Sequence, residues 1–191
     1  MFDQTPSNPT EAGVRAALAI YKAQGCDGLI AVGGGSSIDL AKGLAILATH
    51  QGPAVVDGVG ALKTYATIEG GSPKIPATVP PLIAVPTTAG TGSEVARGAI
   101  VIVDDGRKLG FHSWHLMPAA AVLDPELTLG LPAWLTAATG TSDAKFFPSP
   151  GFAPSLGLIT VGKEGAVLQS SLPLRFSSTV KASGLSLAPG K

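Results

Sequence analysis

Two short stretches concentrate glycines and hydroxyl side chains of the kind that can hold an anionic ligand. Gly33-Gly34-Gly35-Ser36-Ser37 follows an apolar run and opens a helical one. Glycines let the main chain approach a phosphate closely, and the free amides of a helix start point at an anion. The spacing suits a pyrophosphate cradle, and equally an ordinary strand-to-helix turn. It lacks the three spaced glycines of the standard dinucleotide fingerprint. The second stretch, Thr87-Thr88-Ala89-Gly90-Thr91-Gly92-Ser93-Glu94, follows another apolar run. Its hydroxyls can donate to phosphate or ribose oxygens. They can also cap a helix with no ligand present. In open α/β sheets, ligands sit beyond the carboxyl ends of strands, so two such loops can converge on one ligand.

Other chemistry-bearing residues are scattered. Asp39 lies three residues after Ser36 and fits a helix cap or dipole partner better than a ligand contact. Lys42, one turn on, can pair with Asp39 or stand in solvent. Lys108, beside Arg107, reads as a surface charge. His112 and His115 would share a helical face, but no further ligands of fixed spacing accompany them, so they read as loop histidines. His50 ends a predicted helix, where a hydrogen bond to the last carbonyls accounts for it. Cys26, the single cysteine, has no partner in sequence and reads as a small buried residue. No nucleophile-elbow pattern is present.

Periodicity gives the helices and strands that would carry these groups. Thr10 caps a first helix, Glu11 suits its positive end, and Val14, Ala17, Leu18 and Tyr21 share one face. Gly25 is placed to end it. Gly28–Val32 is a short buried strand. Ser36 or Ser37 can cap a second helix through Ile38, Leu40, Ala41, Leu44, Ala45 and Leu47. Residues 50–81 are rich in turn signals. Leu82–Val85, Ala99–Val103 and Ala119–Leu123 read as further strands, and Pro132 opens a helix over 133–139. Helix, strand, glycine turn and helix in succession predict an α/β fold with a parallel sheet.

Composition bounds the function. The 191 residues are 45% hydrophobic and 14% charged, with zero formal net charge. Such a chain folds rather than staying disordered, and no field steers it to nucleic acid or an anionic membrane. The apolar stretch from Gly28 to Thr49 carries Asp39 and Lys42, which a bilayer would penalise. No secretory leader is visible, so the chain reads as soluble and cytoplasmic. After Gly140 the texture changes. Residues 141–191 hold 9 Ser, 5 Pro and 6 Gly and carry a net charge of +3, against −3 before them. Residues 1–140 are expected to form one domain and 141–191 a poorly ordered tail, within which Gly157–Val161 could be a strand.

Three segments in order carry a family resemblance. Gly25 through Lys42 (GCDGLIAVGGGSSIDLAK) closely resembles the glycine-turn signature of iron-containing, group III alcohol dehydrogenases. Pro86–Glu94 resembles that family's second signature. Asp124-Pro125-Glu126-Leu127-Thr128, with Leu131-Pro132 and Ala137-Ala138-Thr139-Gly140, resembles its third. The resemblance implies a partial Rossmann-like nucleotide-binding domain for NAD or NADP. It implies that a divalent metal, often iron, polarises a small alcohol or aldehyde for hydride transfer. It also implies a homo-oligomer. By motif, Gly34, Gly35 and Ser36 should line the pyrophosphate. Thr87, Thr88 and Thr91 should lie near the cofactor, Lys108 should approach it, and Asp39 matches the signature acid.

The chain departs from that pattern at both ends. In the family an Asp and a His four residues later bind metal just after the Ala-Ala-Thr-Gly motif. Here Asp143 stands one place late, Phe147 occupies the His position, and Pro148 and Pro150 follow. The family's C-terminal helical domain and its first strand–helix–strand unit have no counterpart. The expectation is a fragment that is truncated at both ends, lacks a complete metal site and has no catalytic residues of its own. A non-catalytic nucleotide-binding module and a structural remnant are the alternatives.

Overall fold

The structure, a computed structural model, describes residues 1–53, 55–56, 59–132, 135, 157–162 and 165–170. The first helix, α1 (Glu11–Ala23), starts where expected: Thr10 Oγ1 accepts from the Gly13 amide at 3.1 Å. It ends at Gly25, whose φ of 60° is left-handed. Val14, Ala17 and Leu18 are buried and Tyr21 packs beside them. Strand β1 (Leu29–Gly33) leads through the glycine turn into α2 (Gly35–Thr49). A small hairpin of β2 (Val55–Val56) and β3 (Val59–Gly60) and three short 3-10 turns fill the turn-rich region.

Strand β4 (Leu82–Pro86) then pairs in parallel with β1, Gly33 opposite Pro86. Strands β5 (Gly98–Ile102) and β6 (Lys108–His112) form an antiparallel hairpin in a separate two-stranded sheet. An apolar run marks β5 in the sequence, whereas β6 carries no such mark. Its residues mix Gly110 with charged ends and show little apolar run. Strand β7 (Ala120–Leu123) joins β4 in parallel. Strands β8 (Gly157–Gly162) and β9 (Gly165–Ser170) extend the same sheet antiparallel, giving the order β1-β4-β7-β8-β9. The helix expected over 133–139 lies outside the described residues except for Leu135, whose amide donates to the Pro132 carbonyl at 2.9 Å. Asp143 and Phe147 also lie outside them.

Helix α2 lies on the β1/β4 face, where Ala31, Ile38, Ala41, Leu82 and Ala84 form one core cluster. Its other sides meet α1 and the β5–β6 hairpin, so Leu40 through Leu47 are all buried. A helix buried on most sides explains its nearly unbroken apolar composition. A Cβ on Gly43 would stand 2.9 Å from Val14 Cγ2, so glycine there lets α1 close on α2. The opposite face of β1 corrects the expectation of a buried strand. Ile30 is 71% exposed and Val32 58%, with Ile83 of β4 beside them. Parallel sheets ordinarily bury both faces.

Candidate functional site

The site forms where β1 and β4 end side by side. The Thr87 amide donates to the Gly33 carbonyl at 2.9 Å, extending the ladder one step past the strands. The glycine turn and the threonine loop therefore emerge from neighbouring strands at the same end of the sheet, as parallel pairing requires. Gly33 has φ 146°, and a Cβ there would clash with Ser37 Oγ and Cβ at 2.4 and 2.8 Å. Only glycine makes this corner.

Gly34 is the N-cap of α2 and makes no side-chain cap bond. Neither Ser36 nor Ser37 takes the expected cap position, because the helix begins one residue before Ser36. The amides of Ser37 and Ile38 donate to the Gly34 carbonyl at 3.0 and 3.3 Å, which leaves those of Gly35 and Ser36 with no acceptor within the helix. A Cβ on Gly34 would lie 3.3 Å from Thr88 Oγ1 and 3.4 Å from its Cγ2. One on Gly35 would lie 3.0 Å from Thr91 Cβ and 3.2 Å from Ser93 Oγ. The two loops thus interdigitate, with glycine on one side and hydroxyl side chains on the other. Thr88 Oγ1 is buried there without a hydrogen-bond partner. Such a hydroxyl is costly unless something supplies an acceptor.

The remaining predicted residues converge from other elements. Ser36 Oγ donates to the Ser7 carbonyl at 2.5 Å. Lys108 Nζ, at the start of β6, donates to Asn8 Oδ1 at 2.9 Å. The segment before α1 thus ties Ser36 and Lys108 together, and the Ile102 amide anchors it by donating to the Pro9 carbonyl at 2.8 Å. Asp39 does not cap its helix either. Its Oδ2 accepts from the Ile100 amide of β5 at 3.0 Å, while Oδ1 is buried without a partner. Burial raises its pKa above 3.8, opposed by the Ile100 bond, by Ser93 and by the charges of Lys42 and Lys108. Asp39, Thr91 and Ser93 border a groove of about 480 Å³ that also reaches Arg97 and Trp114. There the Arg97 guanidinium lies 4.8 Å from the centre of the Trp114 ring.

Lys42 departs furthest from what its place in the sequence suggests. It is neither solvated nor mainly an Asp39 partner. It is fully buried, and Nζ donates to the carbonyls of Ser93, Ala96 and Gly98 at 2.7, 2.7 and 2.8 Å. Burial pushes its pKa down from 10.5 to about 8, opposed by the charges of Asp39 and Glu94. The signal that could have found it was its position inside an otherwise continuous apolar helix.

The histidine and cysteine candidates make contacts of their own, although His112 borders the same groove as Asp39, Thr91 and Ser93. His112 Nδ1 bonds Thr67 Oγ1 at 2.9 Å, and His50 Nδ1 bonds the Tyr65 hydroxyl at 2.9 Å rather than the helix carbonyls. Cys26 is exposed, not buried. Among the described residues, no group of three His, Cys, Asp or Glu could hold a metal ion. No helix among them is long and apolar enough to cross a membrane.

Comparison with known proteins finds relatives among dehydrogenases. The chain is 68% identical over 158 residues to a 4-hydroxybutyrate dehydrogenase of Cupriavidus necator, spanning 81% of this chain and 39% of that protein. It is 40% identical over 141 residues to a 1,3-propanediol dehydrogenase of Klebsiella pneumoniae, spanning 73% and 33%. Among solved structures, a sulfoacetaldehyde reductase from Bifidobacterium kashiwanohense in complex with NAD+ superposes with a TM-score of 0.64 at 32% identity. That match covers 75% of this chain and 36% of the reductase. The chain spans about a third of the length of the relatives it matches. The fold is the Rossmann-like part of these enzymes, and the family is iron-containing. The described residues do not themselves offer that metal a site. The model of the family "Iron-containing alcohol dehydrogenase" matches residues 1–125, and the chain belongs to that family.

Proposed function

We propose that this chain is the dinucleotide-binding part of an NAD(P)-dependent, metal-assisted alcohol dehydrogenase, and that by itself it binds the nucleotide without turning over alcohol. One observation supports the reading above the others. Gly34 and Gly35 meet Thr88, Thr91 and Ser93 so closely that a Cβ would fill the gap, and Thr88 Oγ1 is left buried without a partner. A helix start whose Gly35 and Ser36 amides have no intrahelical acceptor, beside a hydroxyl that lacks one too, suits a pyrophosphate.

When bound, the nicotinamide would carry the hydride. The chain's own residues do the binding. Amides of Gly35 and Ser36 donate to phosphate oxygens, with the positive end of α2 behind them. Thr87, Thr88 and Thr91 supply hydroxyls from the neighbouring loop. Lys108 brings positive charge, releasing Asn8 to do so. Asp39 stays within α2's first turns as the acid linking that helix to β5. No residue is assigned a catalytic role. The substrate class for the whole enzyme is a small alcohol or aldehyde. A homo-oligomeric, cytoplasmic enzyme belongs to the same proposal.

Calorimetric titration with NAD and with NADP tests it. The expected result is saturable binding of one of them, weakened in Thr88→Val, with no alcohol oxidation when metal is added. Absence of binding by a folded chain would reduce it to a structural remnant. Metal-dependent oxidation of an alcohol by the purified chain would overturn the non-catalytic part.

A further inference from the structure

The threonine loop runs from the end of β4 to the start of β5 without helix or strand of its own. Glycines bend it twice, Gly90 at φ 102° and Gly92 at φ 64°. Little main-chain bonding holds its second half. The Val95 amide donates to the Gly92 carbonyl at 3.1 Å, the Arg97 carbonyl accepts from the Ser113 amide at 3.0 Å where the loop meets β5, and Ser93 N reaches Thr91 Oγ1 only at 3.5 Å. Such a segment is costly to order. Against this stands one ammonium with all three donors spent on this segment and its junction with β5. Charge-assisted bonds of this length are the stronger kind. They come from α2, the same helix whose first turn carries Gly35.

We propose that Lys42 is the positioning residue of the nucleotide site, clamping the loop from Ser93 to Gly98 so that Thr91 and Ser93 stand over Gly35. The inference rests on the nucleotide-binding proposal for its consequence, though not for the clamp. Lys42 touches no ligand in this account. It acts by making one rigid unit of the helix that offers amides and the loop that offers hydroxyls. Burying an ammonium without solvent is expensive, and three carbonyls aimed at one point offset that cost only while the loop keeps this path.

The full chain is compared with Lys42→Met and Lys42→Arg by hydrogen exchange and by calorimetry with NAD. In Lys42→Met, amides of residues 91–98 should exchange at least about tenfold faster, while those of β1 and β4 keep their protection. NAD affinity should fall about tenfold or more. Lys42→Arg keeps the charge and donors, so it should recover part of both. It also serves if the methionine variant does not fold. Unchanged exchange at 91–98 overturns the clamp. So does a uniform loss across all strands, which would make Lys42 a general core residue. Faster loop exchange with unaltered NAD affinity overturns the positioning role. If the unsubstituted chain binds no NAD, the nucleotide proposal fails, and the exchange arm still decides the clamp.

Discussion

Gly34 and Thr88 face each other across the ends of two parallel strands, with Thr88 Oγ1 3.3 Å from where a Cβ on Gly34 would stand. Neither residue is remarkable by type. Their apposition follows from the pairing of Gly33 with Pro86, which brings the two loops out side by side. Had the strands run antiparallel, the loops would lie at opposite ends of the sheet.

That apposition gives a prediction separating stability from binding. Thr88→Val keeps the shape and removes a buried hydroxyl that has no partner. Melting temperature should stay level or rise, since no protein hydrogen bond is lost. Nucleotide affinity should fall about five- to thirtyfold, equivalent to about 1–2 kcal/mol, if the hydroxyl serves a phosphate or ribose oxygen. Thermal melts and calorimetry on one preparation check both halves.

Gly33→Ala should damage folding. The φ of 146° excludes a side chain at little less than full strain, and the new Cβ would meet Ser37 Oγ at 2.4 Å. We expect a loss of about 1–3 kcal/mol, read from urea unfolding. Gly35→Ala meets only side-chain atoms, the nearest at 3.0 Å, so it should cost less stability while displacing Thr91 and weakening nucleotide binding.

Glu11 offers a second stability test, remote from the site. It is 1% exposed, and its carboxylate accepts from the amides of Leu62 at 2.8 Å and Asp104 at 3.2 Å. Glu11→Ala leaves both amides without an acceptor and should cost about 2–4 kcal/mol. Glu11→Gln keeps one acceptor and should cost less. Burial holds the Glu11 pKa above 4.5, against the two amide bonds. The folded state therefore keeps its proton longer than the unfolded one. Its contribution is full below pH 4.5 and declines as pH rises through the folded value. In Glu11→Gln that decline should disappear from an acid series of urea titrations.

Lys42 acts at the other end of the pH scale. Its folded pKa of about 8 lies below the 10.5 of the unfolded chain. Between those values the unfolded state binds more protons, so unfolding free energy should rise with pH across that window. Tyr21 and Tyr65, both raised above 10.0 by burial, work in the opposite direction near its upper edge. The difference between the chain and Lys42→Met, measured by urea unfolding at pH 7.5, 9 and 10, isolates the lysine. A flat difference would mean that the ammonium is not buried in solution.

Elements whose signals are local are legible in the chain alone. Thr10 and Gly25 bound α1 because a hydroxyl cap and a left-handed glycine work within a few residues of chain. The strand, glycine turn and helix around Gly33 were legible for the same reason, and the ordered motifs carried the family. Whatever depends on partners far along the chain emerged with the folded structure. It turned Asp39 and Glu11 from helix-end charges into acceptors for the amides of Ile100, Leu62 and Asp104. It placed β5 with β6 instead of in the main sheet, and left Ile30 and Val32 exposed. It sealed Lys42 beneath a loop whose carbonyls spell nothing in the sequence. Main-chain acceptors are the same at every residue, so no residue type announces where three of them will meet.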